Sequence, residues 1–350
     1  MIGRDIAGGE GLRKPATIQD IARAAGVSTA TVSRALSHPE RVAEATRSLV
    51  LDAVRRSGYR VNRTARNLRR RRSGSILALV PNLANPFFSE ILSGLSSVLA
   101  ESGHGLLVGD THIGPHPAAR LNDYLAAGMA DGVVIFDSRL PDGMVFEGAR
   151  PPMVLACEWS RPNLPSVRVD NEGGAALAIR HLLRRGHRAI GHLTGPSGNV
   201  LTESRLAGTR QALSEAGLKL APDHLFPGDF GLGSGASAAE RWLALRDRPT
   251  AVFCASDEMA CGFMGALRHA GIDVPGAVSV VGFDDIEVSA HLVPALTTIR
   301  QPRRLIGERA ARLLLAMIEA GSSQAPAELL PVQLIERQSV APPATTPLDG

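Results

Sequence analysis

Residues 17–36 read TIQDIARAAGVSTATVSRAL, and their spacing decides the fold of the amino-terminal part of the chain. Thr17 with Asp20 three residues on is a capping-box-like helix start. Ile18, Ile21, Ala22 and Ala25 recur at helical spacing on one face. Gly26 falls at the C-cap, where a residue without Cβ takes the left-handed turn most cheaply. Ser28 can cap a second helix, about Thr29–Leu36, that buries Val32 and Leu36 and turns Thr29, Ala30, Ser33 and Arg34 outward. Two short helices joined by a glycine turn make a helix-turn-helix. Small residues at the start of the second helix allow close approach to base edges. Its Thr and Ser hydroxyls, Thr31 among them, can hydrogen-bond bases, and Arg34 can grip guanine bidentately. A third helix, about Val42–Ser57, carries an apolar stripe of Ala45, Leu49, Val50, Ala53 and Val54, and Gly58 ends it. The alternative reading of such a bundle is a small protein-interaction module.

Charge together with the capped helices and the polar outer face of the second helix favours DNA binding; charge alone reads equally as a solvated basic face. Residues 1–72 hold 16 Lys and Arg against 6 Asp and Glu, whereas residues 73–350 hold 22 against 28. A basic head on an acidic body points to nucleic acid at the head. Residues 1–14 are Gly-rich and read as a disordered tail. They contain no apolar core of a signal peptide, and no apolar run approaches the ~20 residues of a membrane span. Cys157, Cys254 and Cys261 are too few and too scattered for a disulfide framework or a zinc site. These features predict a soluble, reducing, cytoplasmic setting.

Residues 62–72, NRTARNLRRRR, follow the head. Arginine dominates, yet Leu68 sits among the charges, whereas a plain flexible linker would use Gly, Ser or Pro. Thr64–Arg70 is too short to be a stable helix alone in water. Leu68 reads either as a buried linker anchor or as an apolar wedge against DNA.

From Ser75 the pattern changes. Short apolar runs at Ile76–Val80, Gly105–Gly109, Gly132–Phe136 and Met153–Ala156 alternate with helical spacing at Phe87–Glu101 and around Ala118–Ala127. After Asp170 the alternation restarts. Helices are predicted at Gly173–Arg185, Ser204–Ala216, Ser234–Leu245 and Glu258–Ala270, and strands at Ala189–Leu193, Leu225–Phe226, Ala251–Cys254 and Val278–Val281. Repeated βα units predict parallel sheets covered by helices, and two runs predict two lobes. Thr297–Pro302 reads as a strand crossing back to the first lobe, which helix Arg304–Ala320 and strand Leu329–Ile335 would complete.

Ligands of such sheets bind outside the carboxyl ends of the strands. The polar and aromatic residues predicted there are Phe88, Asp137, Trp159, Asp170, Arg205, Phe230, Ser256, Asp257 and Asp284. Carboxylates and arginine hydrogen-bond hydroxyls, and aromatic faces stack on rings, so this set suits a sugar or a purine. Taken singly, each is as readily a loop residue or a helix cap. It is their recurrence at strand ends that makes a site.

The stretch TIQDIARAAGVSTATVSRAL followed by GYRVNRTARNL resembles the lactose/galactose repressor family of bacterial transcription regulators. PNLANPFFSEILSGL, VDNEGGAALAIRHLLRRGHRAIGHLTGP, the segment from Thr250 to Asp285 and LTTIRQP resemble that family's effector domain. The resemblance covers roughly Thr17–Val340 and implies an α/β chain of several parts. They are a three-helix helix-turn-helix head (15–61), a hinge helix and linker (62–74), and a two-lobed periplasmic-binding-protein-like body with parallel sheets (75–340). The first lobe spans about 75–171 and 303–330, the second about 172–302 and 331–340, and 341–350 form a tail.

By position, Thr29, Ala30 and Arg34 match the family's base-reading residues, within a DNA-facing set that also takes in Thr17, Ser28, Thr31 and Ser33. Asn62 and Ala65 match the start and packing face of the hinge helix, Leu68 its minor-groove wedge, and Arg69 flanks the wedge toward phosphate. Arg205, Asp284 and Asp170 match effector-contacting positions, and Phe88, Trp159 and Phe230 match pocket-lining ones.

The resemblance further implies a homodimer on palindromic double-stranded operator DNA, repressing a carbohydrate-utilisation operon until a sugar releases it. The alternatives are a purine or other metabolite acting as corepressor, and a ligand-independent DNA-bending regulator. A solute-binding protein would not need residues 17–72. The carboxyl-terminal APPATTPLDG has no leucine heptad, so a dimer rather than a tetramer is predicted, associated with the nucleoid. The chain departs from the family at Val61, where proline is common, at the run Arg69–Arg72, and at Ser256, where asparagine is usual.

No enzyme, cofactor or metal is predicted. The glycines of residues 228–235 lack the Lys-Ser/Thr ending of a phosphate loop. His112 and His116 stand at a metal-pair spacing, but Gly114, Pro115 and Pro117 break the helix it requires. Asp284 and Asp285 could do acid–base work, but a ligand-binding Asp284 with Asp285 supporting its loop fits better.

Overall fold

The computed structural model describes residues 16–59, 72–111, 124–125, 127–137, 151–161, 163–322 and 326–344. The expected tails (1–14 and the end of 341–350), Asn62, Ala65, Leu68 and Arg69 of the hinge, His112, His116 and most of the helix around Ala118–Ala127 lie outside them. The chain divides into two units, Met1–Arg71 and Arg72–Gly350.

The first unit is the three-helix head. Helix α1 spans Ile18–Ala25, and its capping box is complete. The Asp20 amide donates to Thr17 Oγ1 at 3.3 Å, and the Thr17 amide donates to Asp20 Oδ2 at 2.9 Å. Gly26 takes φ 65° and returns its amide to the Ala22 and Arg23 carbonyls. Helix α2 spans Thr29–Ser37, capped by Ser28, whose hydroxyl accepts from the Thr31 amide. Helix α3 begins at Glu44 and ends at Ser57. It starts later than its spacing predicts because Pro39–Arg41 form a 3-10 turn and Val42 is extended.

Ile21, Ala22, Val32, Ala35, Val50 and Ala53 form the core, with Leu36 and Val54 packed partly against it. Leu49, predicted on the buried stripe, is 53% exposed. It stands one helical step, ~100°, away from Val50, which takes the central position.

The second unit holds two sheets. In the first, β1 (Ser75–Val80) is flanked by β2 (Gly105–Asp110) and β3 (Gly132–Ile135). Then come β4 (Met153–Ala156), β5 (Ser166–Val169) and β11 (Glu328–Leu330), every pairing parallel. Alternate residues face opposite sides. Ile76, Ala78 and Val80 pack under helices α4 (Phe87–Glu101) and α9 (Arg303–Ala320), while Leu77 and Leu79 join Val133, Ile135 and Leu155 beneath the other face. Helices α4 and α9 touch backbone to backbone. A Cβ on Gly94 would lie 2.1 Å from the Arg304 carbonyl oxygen, and one on Gly307 would lie 2.0 Å from that of Ile91. Only glycine permits that approach.

The second sheet runs β7 (Leu225–Phe226), β6 (Ile190–Leu193), β8 (Ala251–Cys254), β9 (Ser279–Asp284), β10 (Thr297–Arg300) and β12 (Gln333–Ile335), with only β12 antiparallel. Helices α5 (Asn171–Arg184) and α6 (Val200–Glu215) cover one face, packing on Phe253, Val281 and Phe283. Helices α7 (Leu232–Ala244) and α8 (Asp257–His269) cover the other, packing on Val252, Cys254 and Val280.

Three features of the strands differ from the sequence reading. Strand β5 was not anticipated, because SVRV is four residues long and carries Arg168 inside it. The single strand expected at Leu329–Ile335 is two, since Pro331 supplies no amide to continue a ladder. Of the two, β11 joins the first sheet and β12 the second. Finally, Thr297–Arg300 belongs to the second sheet, and the crossing follows it at Gln301–Pro302.

Candidate functional site

On the head, Thr29, Ala30 and Arg34 are exposed, while Thr31 and Ser33 are half-buried. The two caps explain this presentation. Thr17 and Ser28 fix where α1 and α2 begin, and the burial of Val32 and Ala35 then fixes which side of α2 faces outward. Arg34 lies along its own helix, with Nε 3.4 Å from the Ala30 carbonyl oxygen.

In the second unit a cavity of about 340 Å³ opens between the carboxyl ends of the two sheets. Its first wall carries Asn82 and Asn85 after β1, Phe87 and Phe88 at the start of α4, and Phe136 and Asp137 after β3. The Phe88 ring packs edge-on to Phe87 at 5.1 Å and to Phe136 at 5.7 Å. Asp137 is buried and accepts a hydrogen bond from the Thr111 hydroxyl. The opposite wall carries Asn199, Arg205, Asp229, Phe230, Ser256, Glu258 and Asp284.

Arg205 is buried at the base of this wall. Its Nε donates to Asn171 Oδ1 at 2.8 Å, Nη1 donates to the Ala255 carbonyl, and the guanidinium carbon lies over the Phe283 ring, 3.8 Å from its centre. Burial, first of all, lowers its pKa. Asp284 sits beside it, fixed by Gln301 Nε2 at 2.7 Å. Burial raises Asp284 to about 7, Arg205 opposes the shift, and the nearby charge of Asp257 adds to it.

Backbone strain gathers here. Cys157, Phe230 and Asp284 line the cavity with φ of 64°, 70° and 128°. Non-glycine residues in this region cost of order 1–3 kcal/mol each, and such residues cluster at binding sites. Phe230 is held in place by Gly195, where a Cβ would lie 2.1 Å from the ring.

Of the residues the sequence singles out, Phe88, Asp137, Arg205, Phe230, Ser256 and Asp284 come together around this cavity. Trp159, Asp170 and Asp257 are placed elsewhere. The Trp159 ring stacks with Arg168 at 5.2 Å. Asp170 caps α5, accepting from the Gly173 amide. Asp257 is wholly buried and accepts from the Ile286 amide and the Ser289 and Thr298 hydroxyls. It fastens the turn that carries Asp284 instead of facing the cavity.

Phe136, Asn199, Asp229 and Glu258 were not singled out. Asn199 ends the turn after β6 and caps α6, a position legible from its spacing. Asp229 adjoins Phe230. Glu258 is one helical step past Asp257, enough to carry it round to the cavity.

The comparisons with known proteins follow the same division. Residues 17–62 match the bacterial regulatory proteins of the lacI family, and residues 156–340 match a periplasmic binding protein-like domain. The chain is 39% identical over 327 residues to the HTH-type transcriptional repressor CytR of Escherichia coli (strain K12), spanning 93% of this chain and 96% of the relative. The chain belongs to the lacI family. Another member, the HTH-type transcriptional repressor PurR of Aliivibrio salmonicida (strain LFI1238), is 35% identical over 309 residues, 87% of this chain and 92% of the relative.

Among solved structures of the family, the Lac repressor dimer bound to operator and the anti-inducer ONPF aligns with TM-score 0.83 at 30% identity, over 94% of this chain and all of that one. The complex of the transcriptional regulator CelR with cellobiose aligns with TM-score 0.72 at 32% identity, over 93% and 100%. The family places this chain among DNA-binding transcription regulators with a ligand-binding effector domain, and not among enzymes.

Proposed function

We propose that this protein is a homodimeric cytoplasmic repressor whose hold on a palindromic operator is set by a small hydroxyl-rich ring, most simply a sugar, bound between the lobes. The observation that carries this reading is that Arg205 and Asp284 both line a cavity faced by Phe88, Phe136 and Phe230. The polar pair suits ring hydroxyls and the phenylalanines suit a ring face. Structures of family members with cellobiose and with ribose support a sugar.

In this reading α2 reads bases through Thr29, Ala30 and Arg34. The hinge, residues 62–74, folds on DNA and presents Leu68 as a minor-groove wedge, with Arg69 toward phosphate. Ligand and operator are linked, so the factor by which ligand changes DNA affinity equals the factor by which DNA changes ligand affinity. The ring cluster Phe87–Phe88–Phe136 favours, as a second reading, a flat heteroaromatic corepressor such as a purine.

Titrating sugars and purines against operator binding tests the proposal. A ligand that weakens operator binding supports the first reading, and one that strengthens it supports the second. No shift with any ligand removes the regulatory half of the function. Leu68→Ala tests the hinge, since unchanged DNA bending and affinity would rule out the wedge.

A further inference from the structure

The second wall of the cavity is more acidic than ligand anchoring by Arg205 and Asp284 requires. Glu258 and Asp229 both line it. Asp229 is committed locally: its Oδ1 accepts from the Gly231 amide at 2.8 Å and from the Ser234 hydroxyl at 2.6 Å. Glu258 is half-buried in the first turn of α8, and its carboxylate makes no hydrogen bond or ion pair with any described residue. The start of a helix favours negative charge, and here Glu258 itself occupies that place. Even so, burial and then the Asp229 charge raise its pKa. Arg205 is the one cation among the described lining residues, and it is already engaged by Asn171, the Ala255 carbonyl and the Phe283 ring.

We propose that Glu258, backed by Asp229, is a specificity-determining residue that accepts a hydroxyl or amino donor from the effector and excludes effectors bearing a phosphate or carboxylate. The inference rests on the reading of this cavity as the effector site and narrows it to unphosphorylated, uncharged or amine-bearing rings. An anionic substituent brought against this wall meets two carboxylates at short range. Repulsion between like charges a few ångströms apart in a partly buried site amounts to on the order of a hundredfold in affinity per charge pair. A hydroxyl or ammonium group instead gives Glu258 the donor it lacks.

The test is calorimetric titration of the full-length protein with matched pairs: ribose and ribose 5-phosphate, glucose and glucose 6-phosphate, glucosamine and glucosamine 6-phosphate, adenosine and AMP. In whichever pair binds, the free form is expected to bind at least about a hundredfold tighter than the phosphate. Glu258→Gln keeps the shape and removes the charge. It is expected to narrow that ratio by about tenfold or more, with thermal melting used to establish that the variant is folded. A phosphate ester that binds as tightly as its free partner overturns the proposal and leaves the effector reading standing. A ratio unchanged in folded Glu258→Gln overturns the assignment to Glu258. If no member of any pair binds, the effector reading falls and this inference falls with it.

Discussion

The Arg205 guanidinium carbon lies 3.8 Å from the centre of the Phe283 ring, one residue before Asp284. Strand β9 thus supplies both the platform on which the arginine rests and the carboxylate beside it. The cation needs this support because burial opposes its charge, and a buried guanidinium persists only where hydrogen bonds and counter-charge compensate.

Arg205→Ala is therefore expected to abolish the effector response while the folded head still binds operator. Loss of a charge-assisted hydrogen bond corresponds to roughly 10–150-fold in ligand affinity. Arg205→Lys is expected to recover little, since an ammonium lacks the planar fork that reaches Asn171 and Ala255 together. Operator binding with and without ligand measures both variants. A full response in Arg205→Ala would remove this residue from the site.

Asp284 links stability to pH. Its folded pKa of about 7 stands above the unfolded carboxylate value, so between about pH 4 and 7 the folded state binds more protons. Stability from this group is fully present below about pH 4 and is lost as pH rises toward 7, by an amount of order 4 kcal/mol at most. Asp284→Asn is expected to flatten that slope, because the carboxamide stays neutral throughout. Denaturant unfolding at several pH values reads it, and identical slopes would contradict the assignment.

His192 works in the opposite direction. Its ring is wholly buried against Phe253, with neither nitrogen hydrogen-bonded. Burial, then Arg205 and Arg210, push its pKa down to about 3. The stability it contributes is fully present above the unfolded value near 6.5. It is lost as pH falls from there toward 3, to a total of roughly 5 kcal/mol. His192→Phe keeps a ring in place and removes the titration, so acid unfolding of the variant should shift to lower pH. Unchanged acid unfolding would show that another group controls it.

Three glycines separate packing from propensity. Gly94→Ala and Gly307→Ala push α4 and α9 apart against backbone atoms and are expected to cost about 1–3 kcal/mol each. Gly265, also helical, has nothing within 4 Å of an added Cβ. Gly265→Ala is expected to stabilise by up to about 1 kcal/mol through helix propensity alone. Thermal unfolding of the three variants checks the contrast, and equal effects would refute it.

The head was legible almost residue by residue because its signals are local. Thr17 with Asp20, Gly26, Ser28 and Gly58 act over three or four residues, which is why both caps fall where their spacing places them. The βα alternation of the body was legible for the same reason. Its failures came where strands are short and take their identity from neighbours. Ser166–Val169 is a strand because β4 and β11 flank it, and nothing inside SVRV says so. The site was half legible. Residues at strand ends are marked by the fold's grammar, but that marking cannot tell a cavity wall from a cap or a buried strut.

What the sequence determined by itself is the order of the parts, the capped helices of the head, the parallel sheets and the strand ends that border the cavity. All of these follow from periodicity and from residues that terminate or cap elements nearby in the chain. Tertiary structure alone decided which side chain at each strand end reaches the cavity. Asp257 and Glu258 are adjacent carboxylates on one helical turn. One is buried as the fastening of the Asp284 turn, and the other faces the cavity. The difference is a rotation of ~100° about α8, and that rotation is set by how α8 packs on α7 through Gly235 and Gly262, contacts between segments far apart in the chain.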